Sequence, residues 1–360
     1  MLIDISTASP PYKASQENVK EELKKRMGEN PAVSRMIDMA AKYSGIENRY
    51  FVVPDAVPDA KNKFYTNGKS YLKPDTNQRM TEYEKWSKLL TKEAVSKILT
   101  KNNFNASDIE RLITISCTGF FAPGLDYHLI NEFGIPLSVK RTNIGFMGCA
   151  ASIVGFNSVL EAMNSANEKN LNTLLVSVEL CSLHLQAEPT RDNILASTVF
   201  ADGSAAALFS KKKKAKLELV SVNSVLFPNS ANVMGWKIGN FGFEMILSSE
   251  LPKLILEFAA PKLIEILKAK NLSVDKIKYW ALHPGGRAIL DSLQQGLNLD
   301  EEKMIPSRTV LKNFGNMSSA SILFVLKEII ESSQIKPGEL CCAAAFGPGL
   351  TMEVALLRGA

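Results

Sequence analysis

Apolar and polar positions along this chain switch between a period near 3.6 and a period near 2. Ser15 is a suitable N-cap for a helix running to about Met27. Asn30 followed by Pro31 supplies a cap and a first-turn proline, and predicts a second helix ending near Gly45. Thr76 to Asn102 carries apolar or aromatic residues at 80, 83, 86, 89 and 90, and predicts a long helix. Arg111 to Cys117 and Leu174 to Leu180 read as short buried strands. Val139 to Asn143 is extended as well, ahead of a helical pattern at 153, 154, 156, 159 and 160. The second half repeats this grammar. Lys253–Leu267 is predicted helical, Ile277–Leu282 extended, Arg287–Leu297 and Ser318–Ile330 helical, and Leu340–Phe346 extended. Strands alternating with helices make this an α/β protein.

The repetition extends to short strings. Phe200-Ala201-Asp202-Gly203 resembles Phe346-Gly347-Pro348-Gly349, each leading into an apolar strand. Cys149-Ala150-Ala151-Ser152-Ile153 echoes Ser318-Ser319-Ala320-Ser321-Ile322, each a small-residue helix start. These matches suggest two related halves, 1–210 and 211–360, with chance similarity of small-residue strings as the alternative. No Pro- or Gly-rich linker separates them, so one compact body is expected. The run Lys211-Lys212-Lys213-Lys214-Ala215-Lys216 lies between the apolar stretches 204–210 and 217–226. It reads as an exposed hairpin turn. No aromatic interleaving accompanies it, which argues against nucleic acid as a partner.

Composition narrows the class further. Of 360 residues, 46% are hydrophobic and 22% charged, ordinary values for a soluble globular protein. No apolar run approaches the ~18 residues of a membrane span, and the opening Met1-Leu2-Ile3-Asp4-Ile5 is not a basic-then-apolar leader. The cytoplasm is therefore the expected location. The net charge of +5 suits a phosphate-bearing small ligand. Five cysteines form no CxxC pair, and an odd count is a poor disulfide framework, so reduced thiols are expected. Nothing has metal-ligand spacing.

The candidate chemistry lies in three strings. The chain has only three histidines, and His283 ends an apolar strand and enters Pro284-Gly285-Gly286. Cys149 follows Gly148 at a helix start, where the helix dipole favours a thiolate. Asn316 stands between Gly315 and Met317 ahead of another helix. A thiol nucleophile needs a base and a charge stabiliser, and an imidazole and an amide can supply both. Each residue has a plainer alternative: a buried small side chain for Cys149, a turn residue for His283, a helix cap for Asn316. Cys117, Cys181, Cys341 and Cys342 lie at or within strands, without the helix start and flanking glycine of Cys149. His128 reads as a helix-face residue, and His184 stands at a strand end where it could line a cavity.

Four strings then make a resemblance: Gly148-Cys149-Ala150, His283-Pro284-Gly285-Gly286, Gly315-Asn316-Met317-Ser318-Ser319-Ala320 and Phe346-Gly347-Pro348-Gly349-Leu350-Thr351. In order and spacing the chain resembles the type III polyketide synthases, the chalcone synthase-like family of the thiolase superfamily. The resemblance implies a five-layered αβαβα fold of two duplicated halves and a homodimer. It implies Cys149 as the acyl-carrying nucleophile, with His283 and Asn316 holding the thioester oxygen of malonyl-CoA during decarboxylation. Coenzyme A thioesters are then the substrates, with no permanently bound cofactor and no metal, and an acyl carrier protein is an alternative starter donor. Phe200 falls at the family's gatekeeping phenylalanine, while Met245 replaces the second phenylalanine of the plant pattern. Ala150 stands where a bulky aromatic is usual, and His184 replaces a small polar residue. The segment Glu179–Gln186, which includes Cys181, resembles members that form alkylpyrones and alkylresorcinols. Cys181, His184, Ala150, Phe200, Met245, Gly347, Pro348 and Gly349 are thus expected around the substrate pocket. Arg35, Lys42, Arg49 and Arg287 are candidates for contact with coenzyme A phosphates. The expected product is a pyrone or resorcinol. The rivals are a priming ketoacyl synthase acting with a carrier protein, a papain-like hydrolase, and an inert binding protein of the same fold.

Overall fold

A computed structural model describes residues 1–68, 70–165 and 171–360. Among the described residues, nine strands form one mixed sheet. From one edge they run Ile277–Leu282, Leu340–Gly347, Thr351–Gly359, Leu217–Leu226, Leu2–Ala8, Asp202–Ser210, Asn172–Leu180, Arg111–Ser116 and Lys140–Gly145. The sheet is nearly two. Leu2–Ala8 meets Leu217–Leu226 at the single pair Leu2↔Leu217. On either side of that joint the pairing repeats. Ile277–Leu282 runs parallel to Leu340–Gly347, which is antiparallel to Thr351–Gly359, itself antiparallel to Leu217–Leu226. Arg111–Ser116, Asn172–Leu180, Asp202–Ser210 and Leu2–Ala8 follow the same sequence of one parallel and two antiparallel pairings.

Alternation along the strands separates three cores, and these define five layers. Leu174, Val176 and Val178 face an outer core with Leu90, Ala94, Val95 and Ile98 of the helix Thr76–Lys101. Leu175 faces the opposite way, into the middle core. Cys342, Ala344 and Phe346 face a second outer core with Leu263, Leu290 and Leu311, whereas Cys341, Ala343 and Ala345 join the middle core. The middle layer consists of the helices Ala151–Asn164 and Ser321–Ser332, each packed against strands of both halves. A helix with a sheet on each side is apolar around most of its girth, and Ile322, Leu323, Phe324, Val325, Leu326 and Ile329 are all buried.

Most expected elements are present. Gln16–Met27 has its cap at Ser15, whose hydroxyl accepts from Asn18 N at 3.1 Å. Pro31–Tyr43, Ile277–Leu282 and Arg287–Leu297 also stand where they were expected. Two readings change, and two elements appear that were not expected. Lys211–Lys216 is not a hairpin turn: Asp202–Ser210 and Leu217–Leu226 do not pair with each other but flank Leu2–Ala8 on its two sides. The helix expected over 253–267 spans Leu251–Lys268 and contains a π-turn at Ile255–Ala259. Pro261 follows that turn and has no N–H to offer the carbonyl of Glu257, so the regular ladder is interrupted there. Glu301–Phe314 is helical despite Pro306 inside it. Finally, Met234–Gly239 and Gly242–Leu247 form a hairpin absent from the sequence reading, in which Trp236 and Met245 are direct partners.

Candidate active site

Cys149 sits on a tight turn between the edge strand Lys140–Gly145 and the middle-layer helix Ala151–Asn164. Phe146 and Gly148 both have left-handed backbone there, at φ 58° and 60°. A Cβ on Gly148 would stand 2.4 Å from Cδ of Pro348, so this glycine lets the second half press against the turn. The thiol lies 3.6 Å from the Ser318 hydroxyl. Burial pushes the Cys149 thiol up to about 12, against the lowering effect of its Ser318 and Asn316 hydrogen bonds. This corrects the expectation that the helix start alone would favour a thiolate. The first turn, Gly148–Ala150, is a single 3₁₀ turn, and loss of solvation outweighs its dipole.

Asn316 precedes the equivalent helix of the second half. Its Oδ1 accepts from Ser318 N at 2.8 Å, which fixes which end of the amide faces the cavity. Its Nδ2 donates one hydrogen to Gly285 O at 3.2 Å, and the other is turned toward the Cys149 thiol. The backbone of Asn316 is also committed: its N–H donates to Val199 O at 2.9 Å, and its carbonyl accepts from Ala201 N at 2.8 Å. Its amide oxygen does not cap the helix in the ordinary N2 or N3 manner; it holds the strained Ser318, at φ 46°.

His283 follows the strand Ile277–Leu282, and its N–H donates to Ala344 O at 2.9 Å. The ring is buried, and among the described residues neither Nδ1 nor Nε2 has a hydrogen-bond partner. Burial pushes its pKa down to about 3, so the imidazole is neutral at ordinary pH. A buried ring with both nitrogens unpartnered is expensive. It is poised for a ligand.

Cys149, His283 and Asn316 line one cavity of about 270 Å³. Two smaller cavities adjoin it, of about 30 Å³ and about 90 Å³. Phe200 and Met245 line all three. Cys149 also borders the smallest, with Cys117, Cys181 and Pro348. The third reaches Val19 and Leu23 of the N-terminal helix and is bordered by Cys181 and His184. His184 is a structural latch as well as a wall. Its Nδ1 accepts from Phe243 N at 2.9 Å, so Nε2–H donates to Thr118 O at 2.7 Å. Trp236 Nε1 donates to Cys117 O at 2.7 Å. Together these two side chains fasten the hairpin Met234–Leu247 over the cavities.

Three expected wall residues are not walls. Ala150 is fully buried in the middle core, its small side chain matched to close packing. Gly347 and Gly349 border none of the three cavities. A Cβ on Gly347 would stand 2.6 Å from Met147 O, so this glycine admits the Cys149 turn. Of the basic candidates, Arg287 borders the 270 Å³ cavity at its exposed mouth. Arg35 and Lys42 are exposed but border none of the three cavities. Arg49 is buried and unable to meet a phosphate in solvent.

Glu179 was passed over as part of an apolar strand. It is fully buried beneath the site and accepts from Thr118 Oγ1 at 2.8 Å, Cys117 N at 3.0 Å and Ser319 Oγ. Burial pushes its carboxyl up to about 7 in spite of those donors. The available signal was an acid among the apolar residues of Leu174–Leu180, which is costly unless satisfied.

Comparison with known proteins agrees with this geometry. The family model for the C-terminal domain of chalcone and stilbene synthases matches residues 218–360, and that for FAE1/type III polyketide synthase-like proteins matches 63–226. A chalcone synthase-type protein of Bacillus subtilis is 30% identical over 99% of this chain and 97% of its own length. The 1,3,6,8-tetrahydroxynaphthalene synthase of Streptomyces peucetius is 28% identical over 98% of this chain and 92% of its own. The crystal structure of PKS-I from the brown alga Ectocarpus siliculosus superposes with a TM-score of 0.92 at 30% identity, covering 100% of this chain and 98% of that one. The chain belongs to the chalcone and stilbene synthase-like family of type III polyketide synthases, which are condensing acyltransferases of thiolase-like fold.

Proposed function

We propose that the protein loads an acyl-CoA starter on Cys149, extends it with malonyl-CoA and releases a pyrone or resorcinol. The supporting observation is that Cys149, His283 and Asn316 share one cavity, and that Phe200 and Met245 stand between it and a second, apolar cavity. The Cys149 thiol gives its proton to His283 as its sulfur attacks the starter thioester. The C–S bond to coenzyme A breaks, and the proton leaves with the released thiol. Malonyl-CoA then loses CO₂, and the electrons of the broken bond form an enolate. Its oxygen receives hydrogen bonds from the Nδ2–H of Asn316 that faces Cys149 and from a ring N–H of His283. Such a preorganised donor is worth roughly 3 kcal/mol. The enolate carbon attacks the acyl-Cys149 thioester, a C–C bond forms, and sulfur leaves. The extended chain returns to Cys149 for another round.

Arg287 is our candidate for the coenzyme A phosphates. Residues 1–210 and 211–360 are proposed as the two related halves, and a homodimer as the working form. The outer edge of Lys140–Gly145 is unpaired among the described residues, and Leu137 and Phe120 near it are 90% and 59% exposed. Light scattering that found a monomer would count against the dimer. The function is tested by mass analysis of products from malonyl-CoA and a panel of fatty acyl-CoA starters, without carrier protein. Products with two or more added ketide units are expected. A single addition, or activity only with a carrier protein, would transfer the assignment to a priming ketoacyl synthase.

A further inference from the structure

Arg49 is one of the largest fully buried side chains of the protein, at 1% exposure. It lies on the short strand Asn48–Phe51, far in sequence from the three reacting residues. Its Nη1 donates to two backbone carbonyls, Phe200 O at 2.6 Å and Ser197 O at 2.8 Å. Its Nε and Nη2 have no hydrogen-bond partner among the described residues. A cation held this way is costly, and simple packing does not require it.

The segment it grips carries both the cavity divider and the anchor of the amide donor. The helix Arg191–Val199 ends at Phe200. Four consecutive carbonyls at that end are taken by groups from elsewhere in the chain: Ser197 O and Phe200 O by Arg49, Thr198 O by Gln16 Nε2 at 2.8 Å, and Val199 O by Asn316 N at 2.9 Å. Ala201 N returns a bond to Asn316 O at 2.8 Å. From the other side, the Arg49 stem packs against Gly315. A Cβ there would stand 2.8 Å from Arg49 Cγ and Cδ, and Gly315 has φ 70°. The guanidinium, the helix end and the Gly315–Asn316 backbone thus form a closed triangle. Orphan carbonyls at a helix C-terminus attract a cation, and one terminal guanidinium nitrogen reaches two of them here, whereas a lysine nitrogen stands one bond shorter on its stem.

We propose that Arg49 is a positioning residue: by clamping the carbonyls of Ser197 and Phe200 it sets, together, the place of the Phe200 ring and of the Asn316 amide. Decarboxylation and the choice of acyl chain are then coupled through one side chain, which itself borders the 90 Å³ cavity. The proposal rests on the function proposed above for Asn316 and Phe200. A misplacement of about 1 Å in a reacting donor costs about 10²-fold in rate.

The test compares wild type with R49A and R49K. It reads malonyl-CoA decarboxylation, the rate of iodoacetamide labelling at Cys149, and the length of starter chain accepted. The wild-type protein itself tests the underlying function: if it neither decarboxylates malonyl-CoA nor extends a starter, that reading fails whatever Arg49 does. Given an active wild type, R49A is expected to lose about 10²-fold in kcat for decarboxylation. KM for malonyl-CoA and the labelling rate of Cys149 should stay near wild type, and starter preference should broaden. Millimolar guanidinium should restore part of kcat in R49A. R49K decides the matter if R49A does not fold. A reduced kcat with unchanged Cys149 labelling supports the proposal. A wild-type kcat, or a parallel loss of kcat and labelling, overturns it.

Discussion

A ring nitrogen that accepts a backbone N–H cannot also hold a proton. His184 is in that position, since Phe243 N donates to its Nδ1 at 2.9 Å. Burial accordingly pushes its pKa from 6.5 to about 3. The unfolded chain takes up a proton below pH 6.5 and the folded chain does not. The contribution to stability is therefore complete above pH 6.5 and is lost as pH falls toward 3. Urea melts of wild type and His184→Gln should show it: the advantage of wild type shrinks by about 3 kcal/mol between pH 7 and pH 4. An advantage independent of pH would mean that the latch is wrongly described. Residue-scale chemistry was partly legible in sequence. Cys149, His283 and Asn316 each stood beside glycine or proline at an element boundary, and the fold brings them to one cavity. Glu179 and Trp236 were not legible as parts of the site, and Arg49 was legible only as a phosphate contact, which its burial rules out. Each acts through long-range contacts, and no local pattern announces which carbonyl or hydroxyl will arrive from a distant strand.

At the scale of elements, the two middle-layer helices matter most, because each begins with a 3₁₀ turn carrying part of the site. Gly148–Ala150 holds Cys149, and Ser318–Ala320 follows Asn316. The two turns touch, with Cys149 Sγ 3.6 Å from Ser318 Oγ and Ser152 Oγ donating to Ser319 O at 2.6 Å. Gly148→Ala should damage this junction in two ways. It places a Cβ in left-handed backbone, at φ 60°, and 2.4 Å from Pro348 Cδ. A loss of about 2 kcal/mol or more is expected in denaturant melts, with product formation falling alongside. A variant as stable and as active as wild type would show that the turn is looser than described. Helix ends were readable because caps, prolines and glycines act locally, as at Ser15 and Asn30. Strand partners were not. The run 204–226 looks like a hairpin in sequence, yet Leu2–Ala8 intervenes between its two strands. Pairing is settled by the whole sheet, and the first strand of the chain is as eligible as the next one.

At the scale of the molecule, the three cores explain how a thiol, an imidazole and an amide from both halves meet. Both middle-layer helices touch strands of both halves, and their starts open toward the cavities. The α/β class and the duplication were visible in the alternation of elements and in paired strings. The cavities were not, because their size depends on side chains from the hairpin Met234–Leu247 and the helix Gln16–Met27. Leu23 borders the 90 Å³ cavity and is 3% exposed. Leu23→Trp should fill that space. Long-chain starters, losing burial of about four methylenes at about 0.8 kcal/mol each, should drop by about 10²-fold in kcat/KM. Short starters should be spared, and an equal loss for all lengths would contradict a chain-binding role. The most direct measurement of the central claim is peptide mapping after a brief incubation with a fatty acyl-CoA alone. The account predicts one acyl group, on the peptide containing Cys149, and none after Cys149→Ala. An adduct on Cys117 or Cys181 instead, or no covalent adduct while product still forms, would contradict it.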